Sequence, residues 1–186
     1  MRHSNAEWDF MARTFFVLSL GNMALRQPDR MGNYLKIMDV IIDETLRLEE
    51  ENGHYYFLMD YARSGDFASR SGRSLFVDGE IALMLGARRL VLEKPEYGRE
   101  MRRRVEIMDS QIRESPVLMG ESYPNECWTF CNSAALAAIR MSDVLDGTDH
   151  SSLFQSWIDS VKKCLVHRES GILYSTCTVE GEVMEG

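Results

Sequence analysis

The sequence predicts an all-α protein that forms part of an α/α toroid, in which an inner ring of helices is enclosed by an outer ring. Six segments have helical periodicity, and segments that are apolar on nearly every side alternate with segments that carry one apolar stripe. A helix that is apolar all round is buried all round, whereas a striped helix faces solvent. The alternation therefore indicates three helical hairpins with the odd-numbered helices inside. In an ordinary up-and-down bundle every helix would have one apolar stripe.

The first hairpin is followed by an unusual connection. Residues 7–25 are apolar nearly all round and are stopped by Pro28, whereas residues 31–51 have a single stripe and end at Gly53, a typical C-terminal cap. Residues 54–73 are aromatic at first and then rich in Ser, Gly and Arg, without periodicity. This segment is longer than most loops, which indicates a functional segment or a lid.

The second and third hairpins repeat the alternation, with apolar segments at 74–93 and 125–145 and striped segments at 97–114 and 149–166. Gly79 and Gly86 are seven residues apart and so share a helix face, where they would permit close packing of helices. After Gly171 apolar and polar residues alternate, which predicts a small C-terminal β-hairpin turning at residues 179–181.

The number of helices predicts an incomplete ring. A closed toroid of this type needs about twelve helices, and the chain supplies about half of them. We therefore expect residues 1–186 to form a single toroid-like domain that is a fragment of a longer protein or is completed by another copy as a homo-oligomer. An open half-ring would expose a large apolar patch along its flanks.

Composition excludes several classes of function. The net charge of −8, from 29 acidic and 21 basic residues, argues against nucleic acid and anionic membrane as partners. No apolar stretch is long enough to span a membrane, and the N-terminus lacks the pattern of a secretory signal. Four cysteines in 186 residues are too few for a disulfide scaffold, so a reduced, cytoplasmic protein is expected. No metal site is predicted, because there is no CxxC motif and the histidines are scattered at positions 3, 54, 150 and 167.

Acidic residues stand near the start of each apolar segment, at Glu7 and Asp9, at Asp78 and Glu80, and at Glu126. In a toroid these ends gather around one mouth, where like charges and burial would separate carboxylates into acid and base roles. Alternatively, such acids merely complement the helix dipole. Glu80 differs from the others because it lies a turn deep among apolar neighbours, where an unpaired charge is costly.

Cys131 and an aromatic cluster complete the candidate site. The Cys131 thiol near a helix start is expected to be partly activated, whereas Cys127, four residues away on the same face, is equally well a small buried apolar residue. Tyr55, Tyr56, Asp60 and Tyr61 form either a binding rim beside the mouth or an aromatic plug over the core.

The third hairpin carries a family resemblance. Four stretches resemble linalool dehydratase/isomerase and its relatives, at residues 123–133 (YPNECWTFCNS), 143–149 (DVLDGTD), 157–159 (WID) and 171–174 (GILY), and residues 14–28 and 76–89 are similar more weakly. The resemblance covers most of this chain but only the central part of such proteins. It implies an α/α toroid with a hydrophobic pocket, an oligomeric assembly and cofactor-free acid–base chemistry on a terpene alcohol.

Only some of the family's functional residues have a matching residue in this sequence. The cysteine of the family's Cys-Asn-Ser motif falls on Cys131, its earlier catalytic cysteine falls on Ser122, and its histidine falls on Glu80. The Asp and Tyr that the family supplies across a subunit boundary have no counterpart here.

Three functions follow as hypotheses. In the first, the chain is a lyase or isomerase without a cofactor that acts on a small apolar alcohol; Glu80 is the general acid and base, and Cys131 and Tyr123 assist it. The residues expected to line the substrate are Asp78, Ser122, Asn125, Glu126, Cys127, Trp128, Asp60 and Tyr61. In the second, it is a glycoside hydrolase or epimerase using Asp78, Glu80 and Glu126, with sugar rings stacked on Trp8, Trp128 and Tyr61. In the third, it is a truncated family member without catalysis.

Overall fold

The computed structural model describes residues 5–184, so His3 lies outside it. The described chain is mostly helical, which confirms the all-α class. Its helices are α1 (Ala6–Arg26), α2 (Met31–Asn52), α3 (Leu75–Val91), α4 (Pro95–Glu114), α5 (Thr129–Asp146) and α6 (Ser151–Cys164). Two short strands, β1 (Cys127–Trp128) and β2 (Thr176–Cys177), form an antiparallel pair. None of the helices within residues 5–184 is long and apolar enough to cross a membrane.

Helix α3 is the centre of the fold. It packs between α1 and α5 in one row, and α2 and α4 back this row from outside. Gly79 allows the close approach of α5, because a Cβ atom at this position would lie 3.3 Å from the Cα of Ala135. Phe154 and Trp157 of α6 pack against the main core.

Helix α1 departs from the prediction that it is buried all round. Phe10, Val17 and Leu20 face the core, but the opposite face exposes large apolar side chains. These are Trp8, Phe15, Phe16, Met23 and Leu25. The reason is position in the row, since α1 lies at its end and has an inner neighbour on one side only. Helix α5, at the other end, likewise exposes Phe130 and Val144.

The connection between α2 and α3 contains no α-helix, as predicted. It folds into two 3-10 turns, at His54–Phe57 and Asp60–Ser64. Phe57 is buried and stacks on Phe10 of α1, with ring centroids 4.2 Å apart. The first half of the connection is thus part of the core, and the second half reaches the surface.

Two boundaries near the C-terminal half differ from the sequence prediction. Helix α5 begins four residues late, because residues 124–125 form a turn in which Asn125 has a left-handed φ of 59°. The predicted C-terminal hairpin is present only as a bridge between Cys177 and Val183 around Gly181, whose φ is 86°. The main partner of β2 is β1, which ties the C-terminal segment to the start of α5.

A buried ionic cluster joins α2, α3 and α4. Arg104 is fully buried, donates to Asp78 at 2.6 Å and binds Glu49. Arg73 also binds Glu49 and Asp78, each at 2.6 Å. Burial acts to raise the pKa of Glu49, but the two guanidinium groups outweigh it and hold that pKa below its usual value. The Glu49 carboxylate therefore stays charged, and the cluster fixes α2 and α4 against α3.

Candidate active site

Glu80 is a buried carboxylic acid with an unsatisfied oxygen. It lies in the second turn of α3 and is 1% exposed, and its Oε2 has no hydrogen-bond partner among the described residues. Burial raises its pKa to about 7, and the negative charge of Glu7 adds to the rise. At neutral pH this group is therefore divided between its acid and its carboxylate form, which suits a general acid and base.

Thr14 is a site residue that the sequence analysis missed. It is fully buried on α1, and its hydroxyl lies close enough to Glu80 to oppose the rise in the Glu80 pKa. Its Oγ1 nevertheless has no hydrogen-bond partner among the described residues. Thr14 Oγ1 from α1 and Glu80 Oε2 from α3 therefore lie near each other, both without a hydrogen-bond partner among the described residues. The sequence feature that could have identified Thr14 is its spacing, since it lies seven residues after Glu7 and shares its helix face.

Tyr123 connects Glu7 to the connecting segment. Its hydroxyl donates to Glu7 Oε2 at 3.0 Å and accepts the Met59 N–H at 3.1 Å. Burial raises the pKa of Tyr123. The phenol therefore keeps its proton and donates it in the hydrogen bond to Glu7, so Tyr123 positions this side chain instead of offering its proton to a substrate.

Cys131 joins the same site but is not activated. Burial is the main cause that raises its pKa to about 12; the Ser122 hydroxyl opposes the rise, and the charges of Glu80 and Glu7 add to it. The expected partial activation is therefore wrong, because the start of α5 places the thiol among apolar groups and carboxylates. At neutral pH Cys131 is a thiol that can donate a hydrogen bond.

Glu126, Tyr61 and Trp128 form the rim of the site. The Tyr61 hydroxyl donates to Glu126 Oε2 at 3.2 Å, and the Trp128 indole N–H donates to the same oxygen at 3.0 Å. Tyr61 also stacks on Tyr123, with ring centroids 5.0 Å apart. Ser122 supports the rim from below, since its hydroxyl accepts the Trp128 backbone N–H at 3.3 Å. The structure thus brings these predicted residues together with Tyr123.

Several predicted residues lie elsewhere. Asp78 faces away from Glu80, because two positions apart on a helix point to nearly opposite sides, and its oxygens bind Arg73 and Arg104. The Asn125 side chain braces the turn by accepting from Val179 N at 3.3 Å. Asp60 is exposed at the start of a 3-10 turn.

Tyr55, Tyr56 and Cys127 pack in the apolar core and do not line the site. Tyr55 and Tyr56 are half-buried against the main core, as a plug would be. Cys127 is on β1, not on α5, so it does not share a helix face with Cys131. It packs with Met119, Val161, Leu165 and Cys177 in a second apolar cluster. Within residues 5–184, no group of three His, Cys, Asp or Glu side chains is arranged to hold a metal ion.

No protein-family model matches the chain, and no curated protein is significantly similar to it. The resemblance to linalool dehydratase/isomerase therefore stays a prediction from the motifs.

Proposed function

We propose that this chain carries the site of an acid–base lyase or isomerase that acts on a small, largely apolar alcohol. The observation that carries the proposal is Glu80, a buried carboxyl group with a pKa of about 7 and an unsatisfied oxygen. The Thr14 hydroxyl and the Cys131 thiol are the polar groups that would receive a substrate hydroxyl beside it. Phe10 and Phe76, in edge-to-face contact near by, supply apolar surroundings for a hydrocarbon chain.

The groups present account for a dehydration. Protonated Glu80 donates its proton to the substrate hydroxyl, the C–O bond breaks, and water leaves. The Glu80 carboxylate then accepts a proton from the adjacent carbon as the double bond forms, which restores the acid. Cys131 holds the hydroxyl by a hydrogen bond from its thiol. Burial, with the charge of Glu7 adding to it, keeps the pKa of Glu80 high enough for proton return. Isomerisation follows when water adds back at another carbon.

Replacing Glu80 with Gln is expected to lower turnover of such an alcohol by about 10²–10⁴-fold, because the amide cannot transfer the proton. The measurement is gas chromatography of products from a panel of allylic and tertiary alcohols. Glu106→Gln, an exposed change on α4, is the matched control and is expected to keep full activity. Full turnover by Glu80→Gln would overturn the role of Glu80. Saturation by oligosaccharides, with no effect of terpene alcohols, would replace the proposal with the carbohydrate hypothesis.

We also propose that the row of α1, α3 and α5 is half of a ring that a second copy completes. The support is the position of the exposed apolar side chains at the two ends of the row. Phe15 and Phe16 protrude from α1 at one end. At the other end Leu136, Ala137, Phe154, Trp157 and Ile158 line an open apolar groove between α5 and α6. Joining each α1 end to the partner's groove would close a ring of about twelve helices by two-fold symmetry.

Native mass spectrometry tests the ring. A species of twice the 21.4 kDa chain mass is expected, and Phe16→Glu is expected to shift it to the monomer because a carboxylate would be buried at the contact. Val40→Glu is the matched control, since Val40 is an exposed apolar residue on the outer helix α2. A monomeric wild-type protein, or equal dissociation by both substitutions, would contradict the two-copy ring.

A further inference from the structure

Cys127 and Cys177 lie opposite each other in the two-stranded ladder that closes the C-terminal segment onto the start of α5. Both are free thiols and both are fully buried, within the apolar cluster formed with Met119, Val161 and Leu165. The pair stands apart from the acid–base site, whose cysteine, Cys131, belongs to the main core. Nothing in the proposed reaction uses these two thiols.

The ladder geometry suits a covalent bond between them. Directly opposed residues of antiparallel strands have Cα atoms about 4.5–5.5 Å apart, and disulfides join Cα atoms about 4.4–6.8 Å apart. The Cys177 thiol lies 3.9 Å from the Cys127 carbonyl oxygen, so it is directed toward the partner strand. Cys127 directs its own thiol toward the Met119 carbonyl oxygen at 3.6 Å, so a rotation of its side chain is needed for bonding.

We propose that Cys127 and Cys177 are a redox modification site, oxidised to a cross-strand disulfide by hydrogen peroxide. The Cys177 thiolate attacks one peroxide oxygen, the O–O bond breaks, and sulfenic acid and hydroxide form. The Cys127 sulfur then attacks the sulfenic sulfur, the S–O bond breaks, and the departing hydroxide takes the Cys127 proton as water. Two thiols and one peroxide thus give one disulfide and two waters.

The order of attack follows from where the two thiols are directed. The Cys177 thiol already faces the partner strand, whereas the Cys127 thiol must first rotate away from the Met119 carbonyl oxygen. The interaction with Cys177 and then burial raise the pKa of Cys127, and the same interaction lowers the pKa of Cys177, which agrees with this order. Peroxide is small enough to enter if the turn at residues 179–180, where Glu180 is exposed, opens transiently. The product would join covalently two strands separated by 50 positions in the chain, at Cys127, which stands between the rim residues Glu126 and Trp128.

The test treats the reduced native protein with hydrogen peroxide, blocks remaining thiols and maps the peptides without reduction. Chymotrypsin cleaves after Trp128 and Phe130 and so separates Cys127 from Cys131. Two of the four thiols are expected to disappear into a peptide that joins Cys127 to Cys177. The unfolding midpoint is expected to rise by roughly 5–15 °C, because a long loop is closed, and to return on reduction.

Matched variants make the result decisive. Cys177→Ala is expected to lose both the linked peptide and the rise in midpoint, whereas Cys164→Ala, a half-buried cysteine of α6, is expected to keep both. A bond from either cysteine to Cys131 or Cys164, or a bond between two chains, would overturn the proposal. So would four free thiols in the native protein under conditions that oxidise the same protein in urea. The peptide map of the wild-type chain decides the matter even if Cys177→Ala fails to fold.

Discussion

Replacing Arg104 with Met is expected to lower the free energy of unfolding by about 3–5 kcal/mol, because Arg73 alone then balances the buried carboxylates of Glu49 and Asp78. Arg104 is fully buried and binds Asp78, Glu49 and Glu100 from one guanidinium group. Asp78 is itself fully buried. Methionine fills a similar volume, so the loss would report on charge and hydrogen bonds more than on packing. Urea denaturation at pH 7 measures it.

Arg103→Met is the matched control for Arg104→Met. Arg103 is on the same helix and binds the same Glu100, at 2.7 Å, but its side chain is about half exposed. Exposed pairs of this kind contribute about 0–1 kcal/mol, so the control is expected to remain near the wild-type stability. Adding Asp78→Asn to Arg104→Met is expected to recover part of the loss, since one unpaired charge is removed. Equal losses for Arg103→Met and Arg104→Met would contradict the buried cluster.

Glu80 is expected to make the protein less stable as the pH rises. Its pKa is raised from 4.5 in the unfolded chain to about 7 in the folded chain, so the folded state holds the proton more tightly. The contribution of Glu80 to the free energy of unfolding is therefore fully present below pH 4.5 and is lost between pH 4.5 and 7. Above that range the free energy of unfolding stays lower by about 3 kcal/mol. About 2 kcal/mol of this falls between pH 5.5 and 8.5.

Glu80→Gln is expected to remove this loss, because the amide stays neutral at every pH. Urea denaturation of the variant and the wild type at pH 5.5 and 8.5 measures the difference, which is expected to widen in favour of the variant at the higher pH. Glu106→Gln, with its exposed carboxylate, is expected to follow the wild type at both values. Parallel changes of wild type and Glu80→Gln would show that Glu80 does not titrate near neutrality.

Periodicity predicted the helices well but not which faces lack neighbours. The apolar sides of α1 and α3 look alike in sequence, yet α3 is enclosed by four helices and α1 exposes Phe15 and Phe16. Burial of a helix depends on what lies beside it, and the place of α1 at the end of the row is a property of the whole fold. An apolar pattern thus indicates that a helix is covered by other apolar groups, but it does not indicate which element or chain covers it.

A site residue could be predicted from the sequence where its neighbours along the chain determine its surroundings in the fold. Glu80 follows from a carboxylate set a turn deep among apolar residues, and the structure places it in such surroundings. Asp78, two positions away, has a similar sequence context, but it is paired with Arg73, five positions before it, and with Arg104, 26 positions after it, and the second pairing is invisible to local reasoning. Likewise the alternation after Gly171 predicted a strand, but its pairing with Cys127–Trp128 depends on a contact across 50 positions.

The most direct test of the account is the titration of Glu80 itself, followed by NMR of protein labelled with ¹³C at the glutamate side-chain carboxyl carbon. One resonance is predicted to titrate with a midpoint near 7, to be missing from Glu80→Gln, and to move to lower pH in Glu7→Gln, because the charge of Glu7 raises the pKa. A spectrum in which every glutamate titrates near its ordinary value of about 4.3 would contradict the account. The same spectra recorded with a bound alcohol would show whether this carboxyl group meets the substrate hydroxyl.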